Sequence, residues 1–148
     1  MPHLFDPVQR AIMKRRIDAL QSDDRPAFGS LDAPRLLAHF IDSFAFTFAE
    51  KEEAVQTGLF ATPIGRWLVI SSPMPWPKGR VQAPASFFAT ACTDFQQDRE
   101  RVQASLDRFA VGPDQSWGVS PGFGRLTPMQ WARLNWRHCN HHLDQFGR

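Results

Sequence analysis

The chain has 148 residues, a length typical of one domain, so we expect a single domain spanning residues 1–148. Its apolar share of 43% and charged share of 22% are those of a globular protein and exclude a disordered chain. The net charge of +2 gives no electrostatic basis for binding nucleic acid. No apolar stretch approaches the roughly 18 residues of a membrane span, and the N-terminus lacks a signal-peptide core. We therefore expect a cytoplasmic protein with neither membrane nor nucleic-acid partners.

Apolar periodicity and capping residues predict a mainly helical chain. The predicted helices cover residues 6–21, 32–49, 62–70, 93–110 and 127–146. Asp6 and Asp32 are the expected N-caps of the first two, and Thr93 with Gln96 forms a candidate capping box before the third long helix. Phe87 and Phe88 are expected to pack beside that helix.

Residues 50–92 form an unusually long connection, which includes the proline-rich loop 71–79. Its length suits a crossover between bundle helices that a tight turn cannot join. A surface excursion that covers one side of the bundle and an active-site lid both fit this segment. The predicted fold class is all-α, a four-helix bundle with a long crossover between the second and third helices.

The last predicted helix has the clearest local signals. Thr127 and Gln130 form a capping box, and Gly147 follows the last periodic residue, where a left-handed residue is expected to end the helix. Within this helix, His138 and His142 are four residues apart, so both imidazoles lie on one face about 6 Å apart along the axis. Such a pair can bind one metal ion from two adjacent positions.

A third ligand would leave one position of a tetrahedral metal open, as a catalytic site requires. His141 points about 100° away from His142, and His3 precedes the first helix, where mobility is expected. His39 lies beside the buried stripe of the second helix and is the best remaining candidate. A single histidine there is more often an ordinary hydrogen-bonded residue, so the spacing alone leaves ligation by three histidines open.

Other side chains could take part in the chemistry. Cys139 stands where the zinc-protease motif His-Glu-x-x-His has its glutamate, which excludes that motif. It is a possible soft ligand or nucleophile, although a small buried apolar role is more common. Trp67 and Trp76 are core residues by default and candidates for lining a ligand site. The residues that could orient imidazole N–H groups are Asp42, Asn135, Asp144 and Gln145.

The segment GFGRLTPMQWARLNWRHCNHHLDQFG, residues 122–147, resembles the C-terminal signature of the DinB/YfiT-like metalloprotein superfamily, in a branch labelled as a domain of unknown function. PAFGSLDAPRLLAHFIDS resembles the second-helix region of that branch. The stretch from PWPKG through DFQQDRERVQASLDRF resembles its middle, so the resemblance spans nearly the whole chain.

The resemblance implies an up-down-down-up order for the four helices. It also implies a divalent metal, zinc or nickel, held by one histidine of the second helix and two of the fourth. The matching positions are His39, His138 and His142. Related branches use the metal for transfer or isomerisation with low-molecular-weight thiols such as bacillithiol, mycothiol or glutathione, and homodimers are common among them. Ser120 departs from the pattern, because the branch usually has a histidine there.

Two functional hypotheses follow. The first is a metal-dependent enzyme, a thiol transferase or small hydrolase acting on a small-molecule thiol or apolar substrate. The second is a non-catalytic bundle that binds a small apolar ligand or acts as a dimeric interaction module, with a structural metal or none. A DNA-repair role has little support, because Lys14-Arg15-Arg16 is the only compact basic run.

Overall fold

The structure is a computed structural model that describes residues 1–76 and 84–148. It is mostly helical, as predicted. The α-helices are α1 Pro7–Asp18, α2 Ala33–Thr47, α3 Pro63–Arg66, α4 Phe95–Arg108 and α5 Pro128–Gln145. The strands are β1 Val119–Ser120 and β2 Gly124–Arg125. Short 3-10 turns cover Leu59–Ala61, Ala85–Phe88 and Phe109–Val111, and a π-helical turn covers Trp67–Ser71.

The N-caps of the long helices are polar side chains that accept from first-turn amides. Asp6 accepts from the amide of Val8, and Asp32 from that of Arg35, as predicted. The expected capping box of α4 is wrong: Asp94 is the N-cap, and its carboxylate accepts from the amide of Gln97 at 2.8 Å. The helix therefore begins one residue later than Thr93 would have placed it.

Helix α5 has the ends that its sequence predicts. Thr127 accepts from the amide of Gln130, while the Gln130 side chain accepts from the amide of Thr127. Gly147 has a φ of +67° at the C-terminal end, and the amide of Arg148 bonds back to the Leu143 carbonyl. This 6→1 bond is the Schellman arrangement.

Helix α2 ends earlier than predicted, at Thr47 rather than at residue 49. Ala49 adopts a left-handed φ of +58°, and the amide of Glu50 donates to the carbonyl of Ala45. This is the same 6→1 closure as in α5, made without a glycine. Because this position is an alanine, the sequence had no glycine that could indicate the C-terminal end of α2.

The connection between α2 and α4 is only partly regular. Thr62 caps α3 by accepting from the amide of Gly65, as its Thr-Pro pair suggests. The predicted helix over 62–70 is confirmed in extent, because helical backbone runs without a break from Pro63 to Ser71, but only Pro63–Arg66 is α-helical and Trp67–Ser71 is π-helical. Of the predicted proline-rich loop 71–79, residues 77–79 lie outside the described residues.

The long helices pack directly on one another. Helix α2 lies against α4 and α5, and α1 lies against the same two helices. The main core contains residues of the four long helices, α1, α2, α4 and α5, and of the 3-10 turn after α4. Its fully or nearly fully buried members include Met13, Ile17, Leu36, Leu37, Phe40, Phe44, Phe48, Val102, Leu106, Phe109, Ala132, Cys139 and Leu143. This packing fixes α2 and α5 side by side, and these are the two helices that carry the candidate ligands.

A β-hairpin that the sequence did not suggest precedes α5. Val119 pairs with Arg125 and Ser120 with Gly124 in an antiparallel register. The amide of Gly118 donates to the carbonyl of Thr47, so the hairpin is attached to the C-terminal end of α2. Among the described residues, no helix is both long and apolar enough to cross a membrane.

Candidate metal centre

His39 lies in the middle of α2 and is only 3% exposed. Its Nδ1 is 2.9 Å from the carbonyl oxygen of Phe87. Since a carbonyl oxygen can only accept, His39 carries its proton on Nδ1 and donates it there. The ring of Phe88 stacks on the imidazole, with centroids 4.8 Å apart and an interplanar angle of 14°. These contacts fix the ring and leave its Nε2 as a lone-pair donor.

His138 and His142 meet His39 from α5. The ring centroids of His138 and His142 are 4.7 Å apart, and those rings are 4.8 and 5.0 Å from the His39 ring. One nitrogen from each imidazole lies within 4.8 Å of the others, and the three could hold a metal ion. Phe40 supports the group from the core, with its ring 5.6 Å from that of His138. The structure therefore brings together the three histidines that the sequence selected.

Gln145 orients the third imidazole. Its Oε1 is 2.8 Å from Nδ1 of His142, and the side chain is buried in the last turn of α5. Donation of the Nδ1 proton to this oxygen leaves Nε2 of His142 available to a metal. His39 and His142 thus each have an acceptor on the second ring nitrogen, the arrangement found around most metal-binding histidines.

The donor set fits a divalent ion. Nε2 of His39 and Nε2 of His138 are 2.8 Å apart. Two imidazole nitrogens on one tetrahedral zinc ion are about 3.3 Å apart, so a shift of a few tenths of an ångström suffices. Because His39 Nε2 accepts in its tautomer, the observed contact requires the proton on His138 Nε2. Binding of a metal ion by both nitrogens would require the other neutral tautomer of His138, with its proton on Nδ1.

The electrostatics also favour metal binding. Burial lowers the pKa of His39 and, more strongly, that of His138, where the neighbouring His142 and His39 add to the effect. Burial likewise lowers the pKa of His142 to about 3. All three imidazoles are therefore neutral at physiological pH, and the neutral form is the one that ligates metals.

The other candidate ligands do not join this group, although the ring of His141 is 5.3 Å from that of His142. The ring of His141 packs near Trp76 and Phe28, with centroids 5.7 and 6.3 Å away. His3 lies beside Phe5, at the N-terminal end of the chain. Cys139 is fully buried in the core, and burial raises the pKa of its thiol to about 12. It therefore has the small apolar role and is not a nucleophile at neutral pH.

Of the four residues proposed to orient imidazoles, only Gln145 does so. Asn135 donates to the hydroxyl of Thr47 and to the carbonyl of Trp131. Asp144 pairs with Arg16. Asp42 accepts from the amide and hydroxyl of Thr90 and from the ammonium of Lys51.

The acceptor for His39 was missed by the sequence reasoning. Phe87 and Phe88 were expected beside α4, but they cover His39 instead, and the ring of Phe87 packs at a tilt against that of Phe46, with centroids 4.7 Å apart. Asp42 holds this segment in place through Thr90, three residues after Phe87. In the sequence, only the pair Phe87-Phe88 indicated that this segment is apolar, and no local sequence pattern linked the segment to His39.

The two tryptophans of the long connection differ in position. Trp76 is half-buried, and its ring lies 6.2 Å from that of His138. Its Nε1 donates to the carbonyl of Val69. Trp67 is 56% exposed and does not contribute to the core.

Ser120, which stands where the related branch has a histidine, is buried in the hairpin. Its hydroxyl accepts from the amide of Phe123 at 3.2 Å. Ser120 therefore closes the hairpin turn and acts as a structural residue there.

The family described as "Protein of unknown function (DUF1569)" matches residues 5–148. The chain belongs to this family. The match includes both helices of the candidate metal centre, so the three histidines of this DUF1569 protein lie within the family domain. No curated protein and no solved structure shows a significant match to the chain.

Proposed function

We propose that this DUF1569 protein is a metal-dependent enzyme, a thiol transferase or a small hydrolase, with a divalent ion held by His39, His138 and His142. The observation that carries the proposal is the group of three neutral imidazoles, one buried and two half-buried, whose nitrogens lie within 4.8 Å of one another. Three histidines leave a position for a further ligand, as in catalytic rather than structural sites.

The protein's own residues would prepare this site. The Phe87 carbonyl and Gln145 hold the Nδ1 protons of His39 and His142, which directs both Nε2 atoms toward the common centre. The rings of Phe88 and Phe40 pack against the imidazoles of His39 and His138. A bound divalent ion would supply Lewis acidity, which makes a thiol or a water molecule nucleophilic near neutral pH. Zinc and nickel both suit imidazole ligands.

We further propose that the fold is the four-helix bundle of the DinB/YfiT-like superfamily, in up-down-down-up order. Support comes from the contacts of α1 and α2 with both α4 and α5, and from the long connection between α2 and α4. The sequence resemblance to that superfamily also implies one metal ligand on α2 and two on α5.

The proposal is tested by metal analysis of purified protein, followed by a screen of low-molecular-weight thiols against electrophilic substrates. Metal-loaded wild-type protein is compared with the His142→Ala variant and with the His141→Ala control, which leaves the three histidines intact. We expect turnover by wild type and the control and none by His142→Ala. Equal rates for wild type and His142→Ala would reject the enzymatic proposal.

One observation favours the second hypothesis, a homodimeric interaction module. Several large apolar side chains in the connection are exposed, among them Leu59 by 66%, Ile64 by 70% and Trp67 by 56%. Such a patch is often buried by a partner. Sedimentation of wild type and an Ile64→Glu variant would test it, since a dimer through this patch should dissociate in the variant.

A further inference from the structure

A cavity of about 380 Å³ lies beside the candidate metal centre, between α5 and the segment that follows the π-helical turn. Its walls include the aromatic rings of Phe28, Trp76 and Trp136. Trp76 also lies 6.2 Å from the His138 ring, so this wall of the cavity is next to the histidine group. The volume is within the range of small-molecule sites, and apolar walls are typical of them.

Among the described residues, Arg137 contributes a cation to the cavity wall. The two terminal nitrogens of Arg137 donate to the carbonyls of Ser72 and Met74, and the guanidinium lies 5.7 Å from the ring of Trp76. A guanidinium has five N–H donors, so its contacts with the described residues leave three for another acceptor. The backbone contacts therefore position the group without satisfying it.

Arg137 has no carboxylate partner among the described residues, whose ion pairs are made by other side chains. Asp144 also borders the cavity, but its charge is balanced by Arg16 at 2.6 Å. The sequence of residues 77–83, PKGRVQA, contains no acidic residue that could serve instead. Among the described residues, the cavity wall thus has a positive charge without a carboxylate partner, placed among aromatic rings.

We propose that this cavity binds a small monocarboxylate with an apolar body. The carboxylate would pair with the free donors of Arg137, and the apolar body would lie against Trp76 and Trp136. Arginine binds carboxylates through two parallel N–H bonds, and aromatic walls bind an apolar body without further hydrogen bonds. This assignment does not depend on a metal ion at His39, His138 and His142, because none of these three residues borders the cavity.

The test is a titration of the full chain with 3-phenylpropanoate, followed by calorimetry and by tryptophan fluorescence. Arg137→Gln removes the charge, and Arg133→Gln removes the same charge one turn earlier on α5, outside the cavity. We expect the affinity to fall about tenfold or more in Arg137→Gln and to stay unchanged in Arg133→Gln. Equal affinities for wild type and Arg137→Gln would overturn the proposal.

A second probe needs no variant. The neutral alcohol 3-phenylpropan-1-ol has the same apolar body, and we expect wild type to bind it about tenfold more weakly than the carboxylate. Equal binding of acid and alcohol would contradict the role of Arg137.

The same titration after dialysis against EDTA separates this site from the metal centre. An unchanged affinity for 3-phenylpropanoate would support binding in the cavity, whether or not the histidines bind a metal. Loss of carboxylate binding on metal removal would mean that the carboxylate binds the metal, and the assignment to Arg137 would be wrong.

Discussion

Nε2 of His39 and Nε2 of His138 lie 2.8 Å apart, although 99 positions separate the two residues in the sequence. The contact joins the middle of α2 to the C-terminal half of α5. It places two imidazoles almost as close as one metal ion would require, with His142 completing the group. The protein scaffold itself thus brings the candidate ligands together.

Metal affinity should depend on three histidines and not on the other two. We expect His39→Ala, His138→Ala and His142→Ala each to weaken zinc binding by more than about 100-fold, because loss of an outer partner alone costs about 10- to 100-fold. His141→Ala is the matched control and should bind as wild type does. The measurement is competition with a chromophoric chelator. If His39→Ala bound zinc as tightly as wild type does, α2 would not contribute a metal ligand.

Gln145 should matter although it does not face the metal position. Its Oε1 accepts from His142 Nδ1, so Gln145→Leu should lower zinc affinity by about 10- to 100-fold. Gln145→Glu offers a stronger acceptor and should match or exceed wild type. The control is Gln103→Leu, a glutamine on α4 that bonds to Lys14 and Asp18 of α1. Equal affinities in Gln145→Leu and Gln103→Leu would show that the contact does not support the ligand.

The sequence could predict those parts of the site that depend on local spacing. The capping box of Thr127 and Gln130 and the four-residue spacing of His138 and His142 are helical properties, and the structure has them. His39 could be selected because it lies next to an apolar stripe. That these residues bind a metal stays a prediction.

The parts that could not be predicted depend on contacts between distant segments. The acceptor of His39 is a backbone carbonyl, that of Phe87, and any residue type supplies such a carbonyl. Asp42 could have faced an imidazole on α5, but its partners are Thr90 and Lys51. The end of α2 at Ala49 lacks the glycine that usually adopts a positive φ.

Asp42 should stabilise the fold in a pH-dependent way. Its carboxylate is buried, and although burial by itself raises the pKa, the hydrogen bonds from Lys51 and Thr90 outweigh it and lower the pKa of Asp42. The folded state therefore binds this proton less tightly than the unfolded chain. The stabilisation is present above the ordinary carboxyl pKa of about 4 and is lost as the pH falls through the lower folded value.

We expect Asp42→Asn to reduce the free energy of unfolding at pH 7 by about 2 kcal/mol, the cost of weakening buried charge-assisted hydrogen bonds. The difference from wild type should shrink as the pH falls below about 4. Urea unfolding between pH 3 and pH 7 measures both. Asp107→Asn is the control, because Asp107 makes an exposed pair with Lys14. A pH-independent difference for Asp42→Asn would contradict the role of its charge.

The two cysteines should differ sharply in reactivity. Cys139 is fully buried, and burial raises the pKa of its thiol to about 12, whereas Cys92 is exposed. A thiol-specific reagent should therefore label one cysteine in the native protein and two in guanidinium. Partial burial, with Asp32 and Asp98 nearby, raises the pKa of Cys92, so its labelling at pH 7 should be slower than that of glutathione. Cys92→Ser should abolish native labelling, and labelling that persists in this variant would show that Cys139 is accessible and could act as a nucleophile after all.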